Sequence, residues 1–169
     1  WNLESDGPLK IDGEWEFYWK QLLKPGDFND STKYQLTEYV HVPGYWVDYT
    51  FDDQVFEPKG YATYRLRINR LTPNKIVGLR LSLVVSAYNL YANGKLIAQC
   101  GKVAVVEQES KALVCPYNTT FLLERDSLEL VLQVSNYHHS RAGIWNDIYL
   151  GSNEDMQVQS IINLALDLF

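Results

Sequence analysis

The chain has 169 residues, enough for one domain with a filled core, and 46% of them are hydrophobic, which excludes wholesale disorder. Against 21 Asp and Glu stand 15 Lys and Arg, a formal charge of −6 that repels phosphate backbones and argues against nucleic acid as a partner. Aromatic residues reach 14%, a supply of large amphipathic rings that fits a β-sandwich core or a binding surface better than a helical bundle.

In chain order, residues 9–19 alternate apolar and polar side chains around Gly13, a strand signature with one buried face. Gln21 to Lys24 is expected to form a short helical turn ended by Pro25-Gly26, followed by a polar loop over 28–35. Glu38 to Val42 is a short strand stopped by Pro43-Gly44. The stretch 45–60 carries five aromatics without a period and predicts a long excursion loop, a kind of segment that often covers or binds. Ala62 to Ile68 alternates cleanly, residues 76–85 form a dense apolar strand, and Tyr88 to Ala92 runs into Asn93-Gly94, the strongest short signal for a hairpin. Lys95 to Ala98 is the return strand, Val103 to Val106 and Asn118 to Leu122 are two further candidates, and Leu128 to Ser135 is the clearest late strand. Asp147 to Leu150 closes this region at Gly151. Short strands separated by turn signals, with no βα alternation, predict an all-β sandwich or jelly roll rather than an α/β enzyme core. From Asn153 the spacing of Val158, Ile161, Ile162, Ala165 and Phe169 places them on one helical face, and Glu154-Asp155 suits the first turn of a helix. No run of about 18 apolar residues is present to span a membrane. The opening at Trp1, polar and without a secretory leader, is the beginning expected of a piece of a larger protein or of a processed chain.

Two cysteines, Cys100 and Cys115, flank a segment that looks like a strand turning back. They are expected either as a disulfide, if the protein is exported, or as two buried thiols; no CxxC spacing makes them metal ligands. The three histidines do not suggest a metal centre. His41 alternates with apolar neighbours in a strand, and His138-His139 are adjacent, so on an extended chain their rings point to opposite faces. No nucleophile elbow, P-loop or dinucleotide fingerprint occurs, and neither a cofactor nor catalysis is expected. Asp52-Asp53 offers oxygen ligands for a cation or for sugar hydroxyls, with a solvated loop pair as the simpler account. The residues that suit binding are borne on loops: Tyr45, Trp46 and Tyr49 in one excursion, and His138, His139, Arg141 and Trp145 in another. Aromatic faces stack on sugar rings, and Arg pairs with hydroxyls or carboxylates. The competing role for Trp46 and Trp145 is to plug the ends of the sandwich.

Two resemblances follow. The elements Asp6-Gly7, Leu9, Gly13 through Trp19 and Val42-Pro43-Gly44-Tyr45-Trp46, with Tyr64 through Arg67 and Tyr88 through Lys95, resemble the sugar-binding domain of glycoside hydrolase family 2, a jelly roll accessory to a separate catalytic barrel. Gly60 through Leu66, Asn93-Gly94-Lys95, and Val134 through His139 continuing to Gly143-Ile144-Trp145 and Leu150-Gly151 look like the extracellular jelly-roll module of bacterial seven-transmembrane receptors with diverse intracellular signalling modules. Ala142 departs from that pattern, where a second glycine beside Gly143 is expected.

Together these predict a galactose-binding-like jelly-roll β-sandwich over residues 1–151 and a helix over 152–169. The resemblance to the receptors implies an extracytoplasmic, non-catalytic sensor of a small, carbohydrate-like ligand, joined to a membrane by segments beyond Phe169. The rival expectations are a carbohydrate-binding accessory domain of a secreted glycosidase and a structural module that forms a homodimer through its tail helix.

Overall fold

The computed structural model describes residues 6–51, 54–84 and 86–156. In chain order the strands are β1 (Leu9–Lys10), β2 (Gly13–Trp19), β3 (Glu38–Val42), β4 (Gly44–Tyr45), β5 (Thr50–Phe51), β6 (Gln54–Val55) and β7 (Gly60–Asn69). They continue as β8 (Lys75–Val84), β9 (Ala87–Ala92), β10 (Lys95–Cys100), β11 (Cys115–Leu123), β12 (Ser127–Asn136), β13 (Gly143–Ile144) and β14 (Ile148–Gly151). A six-stranded sheet in the order β10-β9-β12-β7-β2-β3 packs on a four-stranded sheet in the order β1-β14-β8-β11, with every pairing antiparallel. The result is the β-sandwich expected from the alternation.

Period-two patterning puts one side chain in two into the gap between the sheets. From β12 come Leu128, Leu130, Leu132 and Val134, from β7 Ala62 and Tyr64, and from β2 Trp15 and Phe17; Val77, Leu79 and Leu81 of β8 and Ile148 and Leu150 of β14 meet them. The hairpin between β9 and β10 turns at Asn93 and Gly94, both at positive φ (46° and 83°), as a two-residue turn matched to strand twist requires.

The middle of the outer face of the six-stranded sheet is not solvated, although alternation alone predicts that it should be. Val131, Gln133, Ser135 and Thr63 point outward and are buried. Two loops roof them. Residues 20–37 cross one half: the Leu23 N–H donates to Thr63 Oγ1 (2.9 Å), Thr63 Oγ1 donates to the Gln21 carbonyl (2.7 Å), and Gln133 Nε2 donates to the Leu23 carbonyl (3.0 Å). The rings of Phe28 and Tyr34 pack on Tyr18 at 5.3 and 5.7 Å between centroids. Residues 101–114 cross the other half, where the Ala104 N–H reaches Ser135 Oγ (3.3 Å) and the two hydroxyls of Ser110 and Ser135 meet at 3.0 Å. Buried polar groups must find partners, and these loops supply them.

Two predicted elements are corrected here. Val103 to Val106 is irregular chain, tied at Lys102 to Lys111 by a single bridge, because this segment serves as a roof with Ala104 turned inward. Gln21 to Lys24 is not helical; a 3-10 turn forms instead over Pro25–Asn29, with Pro25 opening it, where a missing N–H and a preset φ cost nothing. The excursion over 45–60 also contains more structure than expected, with β4, β5, β6 and a 3-10 turn at Trp46–Asp48; Asp52 and Asp53 lie outside the described residues.

Cys100 and Cys115 form a disulfide. It joins the end of β10, an edge of the six-stranded sheet, to the start of β11, an edge of the four-stranded one, so it clamps the sandwich along one side. At the opposite end of the chain's β region a helical turn covers residues 153–156. Its cap is reciprocal: the Asp155 N–H donates to Ser152 Oγ (3.1 Å) and the Ser152 N–H donates to Asp155 Oδ2 (3.0 Å). Met156 is buried against two glycines, Gly78 and Gly151, that face each other in the register of β8 and β14. A Cβ at Gly151 would lie 2.8 Å from Met156 Cε, so the bare backbone is what admits the methionine. The remainder of the predicted helix, from residue 157 on, lies outside the described residues.

Burial raises the pKa of Tyr64 and Tyr49 above the ordinary tyrosine range, and that of Tyr18 through burial and its hydrogen bond to Glu16. The sign for stability follows from linkage. Below about pH 10 folded and unfolded chains both keep these protons and stability is whole; above it only the unfolded chain releases them, so stability falls. Urea midpoints measured from pH 8 upward should stay level to roughly pH 9.5 and then drop, each buried ring adding up to about 1.4 kcal/mol per pH unit. A midpoint still level at about pH 11 would show these phenols ionising freely in the fold.

Candidate functional site

The excursion after β3 and the loop after β12 are brought together by a two-stranded ribbon in which Gly143 pairs with Tyr45 and Ile144 with Gly44. The Trp46 N–H extends it by donating to the Ala142 carbonyl (2.8 Å). Gly143 is required at its place: φ is +130°, and a Cβ would lie 2.7 Å from the Gly44 carbonyl oxygen. The neighbouring Ala142 is buried and fits without a second glycine.

The ribbon has an inner and an outer side. Inward, Ile144 and Trp46 are fully buried; the Trp46 ring stands edge-on to Trp19 at 5.2 Å, and its Nε1 donates to the Glu57 carbonyl (3.0 Å). Outward, the rings of Tyr45 and Trp145 stack at 5.8 Å with 21° between planes, and the Arg141 guanidinium lies 5.1 Å from the Tyr45 centroid. Tyr45 and Trp145 are half-buried and Arg141 is exposed. Flat aromatic faces beside a guanidinium offer stacking to a ring and donors to hydroxyls or a carboxylate.

Of the seven predicted binding residues, Tyr45, Arg141 and Trp145 therefore meet in one surface cluster. Trp46 does not belong to it: with 0% exposure it is core, as the plug reading holds for it. Tyr49 is a buttress beneath the ribbon, with its ring edge-on to Phe17 at 5.5 Å and its hydroxyl directed at the carbonyls of His41 (3.3 Å) and Gly44 (3.4 Å). Trp46 thus lies on the inner side of the ribbon and Tyr49 beyond its end, so neither joins the outward cluster. His138 and His139 are exposed on the loop leading to Arg141, shaped by Asn136, whose Nδ2 donates to the carbonyls of Pro58 (2.9 Å) and His139 (2.8 Å). Among the described residues no three His, Cys, Asp or Glu side chains gather as a metal ion would need.

The surface also has two hollows that the sequence did not suggest. A cleft of about 370 Å³ is lined by Trp19, Gln21, Gln35, Leu36, Thr37 and Phe51. A wider groove of about 820 Å³ lies at one end of the outer face of the six-stranded sheet, between the 3-10 turn at 25–29, the Asn93-Gly94 turn and residues 124–129. Its lining residues come from separate segments, so no local sequence signal announces it.

No protein-family model matches the chain, and no curated protein sequence does. Solved structures do share its fold. A GH2 β-galacturonidase from Eisenbergiella tayi bound to galacturonate aligns at TM-score 0.58 and 14% identity over 86% of this chain and 24% of its own. A β-glucuronidase from an uncultured Clostridium sp. aligns at TM-score 0.60 and 16% identity, over 89% of this chain and 30% of its own. One from Faecalibacterium prausnitzii gives TM-score 0.56 and 15% identity, over 89% and 32%. The chain thus spans less than a third of each of these enzymes, and at such identities the likeness is one of fold.

Proposed function

We propose that this chain is a non-catalytic, carbohydrate-binding β-sandwich module of a longer extracytoplasmic protein, and that a sugar ring docks on the Tyr45–Trp145–Arg141 cluster. The observation that carries the reading is that cluster: a stacked pair of half-buried rings and a guanidinium in no ion pair among the described residues, held outward by a ribbon whose other side is anchored in the core. The fold supports it, being that of a part of the GH2 enzymes amounting to less than a third of their length. The Cys100–Cys115 disulfide supports an oxidising compartment.

A second reading, the sensor ectodomain of a bacterial membrane receptor, is favoured by one feature. The capped helical turn at 153–156 is seated on the four-stranded sheet, and a receptor would need such a contact between its sandwich and the chain that follows. The sequence encoded after Phe169 separates the two: apolar spans select the receptor and a catalytic barrel selects the accessory module.

The binding test is a glycan array followed by calorimetry on the sugars retained. Tyr45→Ala and Trp145→Ala are each expected to weaken binding about tenfold or more, which is about 1.4 kcal/mol, while melting within about 2 °C of the parent chain. If both variants bind as the parent does, the sugar sits elsewhere.

A further inference from the structure

We propose that the groove on the outer face of the six-stranded sheet is a second ligand site, separate from the aromatic cluster, and that it takes an acidic saccharide. The argument begins with charge. Two of the three acids in the groove wall are paired with cations, Glu129 with Arg65 (2.9 Å to Nε) and Glu124 with Lys95 (3.0 Å); Asp27 accepts from the backbone N–H of Lys24 (2.7 Å) and keeps its charge. Arg67, also in the wall, is held by Glu16 at 2.9 Å. The Lys24 ammonium and the Arg125 guanidinium remain, both exposed and in no ion pair among the described residues. On a chain of net charge −6, two unpaired cations set against the one carboxylate of Asp27 leave this depression with a positive excess that attracts an anion.

Size and lining decide which anion. About 820 Å³ falls in the range of small-molecule sites and is far more than an inorganic ion fills. Asn29 and Asn69 bring amides that make no hydrogen bond among the described residues, and Tyr91 contributes a half-buried ring. Amides answer hydroxyls, an aromatic face answers the apolar face of a pyranose, and a guanidinium grips a carboxylate or sulfate with two parallel bonds. Glu129 of the wall is held in place by Arg65, whose guanidinium also lies 4.2 Å from the Phe28 ring. A polyhydroxylated ring with one anionic substituent matches all of these at once.

The experiment titrates the whole chain, by calorimetry in low salt, with digalacturonic acid, the neutral 4-galactobiose, galactose 6-sulfate and sodium sulfate. The expected result is that digalacturonic acid binds at least tenfold more tightly than 4-galactobiose, and that Arg125→Gln and Lys24→Gln each erase most of that preference. Arg125→Lys should keep part of it, and the same titrations on the Tyr45→Ala, Trp145→Ala double variant, in which the aromatic cluster is removed, read the groove by itself. Tight binding of galactose 6-sulfate also supports the site and identifies the anion as a sulfate ester. Equal affinity for the charged and neutral disaccharides, equal binding of sodium sulfate alone, a preference that survives in both glutamine variants, or no binding of any probe would each overturn the proposal.

Discussion

Replacing Trp46 with alanine is expected to cost about 3–5 kcal/mol of folding free energy and to lower Tm by roughly 10 °C. The residue has no exposed surface, and its ring fills the space beside Trp19 at the end of the core, where Phe56 also stands edge-on to Trp19 at 5.3 Å. Removing it leaves a void the size of an indole and takes the Nε1 donor away from the Glu57 carbonyl. The effect should spread to the ribbon, because the Trp46 N–H is its last rung. Any loss of ligand in this variant would therefore report damage to the scaffold. Calorimetric melting of Trp46→Ala beside Trp145→Ala is the decisive comparison: the first should melt much earlier and the second close to the parent. A fall of under about 3 °C for Trp46→Ala would mean that the end of the core is looser than its packing implies.

Losing the Cys100–Cys115 bond comes next in size. The bond closes a loop with a sequence separation of 15, for which constraint of the unfolded chain stabilises the fold by about 3 kcal/mol. Because it ties an edge strand of one sheet to an edge strand of the other, its loss should act locally as well as globally. Amide exchange in β10 and in the backbone of β11 should rise more than in the central strands β12 and β7. Urea unfolding of the Cys100→Ser, Cys115→Ser double variant, and of the parent chain in reductant, should show the same lowered midpoint. A parent midpoint unmoved by reductant would mean that the clamp is dispensable.

What the sequence disclosed depends on whether the cause was local. Ala62 to Ile68 and Leu128 to Ser135 alternate because each has one face in the core, and the Asn93-Gly94 turn is required by its own backbone angles; all were legible. The burial of Gln133 and Thr63 was not, since the loop that roofs them lies some 110 and 40 positions away along the chain. Val103 to Val106 has strand composition, yet Ala104 is buried while Val105 and Val106 stay exposed, and composition does not reveal that a segment lies across a sheet rather than within it. Trp46 and Trp145 looked alike as loop tryptophans. Their fates diverge because the ladder of Gly143 with Tyr45 turns one toward the interior and the other toward solvent, a matter of register. Nothing in the sequence marks Lys24 and Arg125 as a pair; only the folding of their separate segments into one groove brings them together.

The facing glycines of β8 and β14 have a mechanical consequence. These are the two inner strands of their sheet, and at that rung they present main chain alone to Met156, with no compressible side chain between. The contact is therefore made between the methionine and peptide planes, and a shear between those two strands would lever the methionine out of its notch. Any side chain larger than hydrogen at either glycine would push the methionine out and free the turn from the sheet.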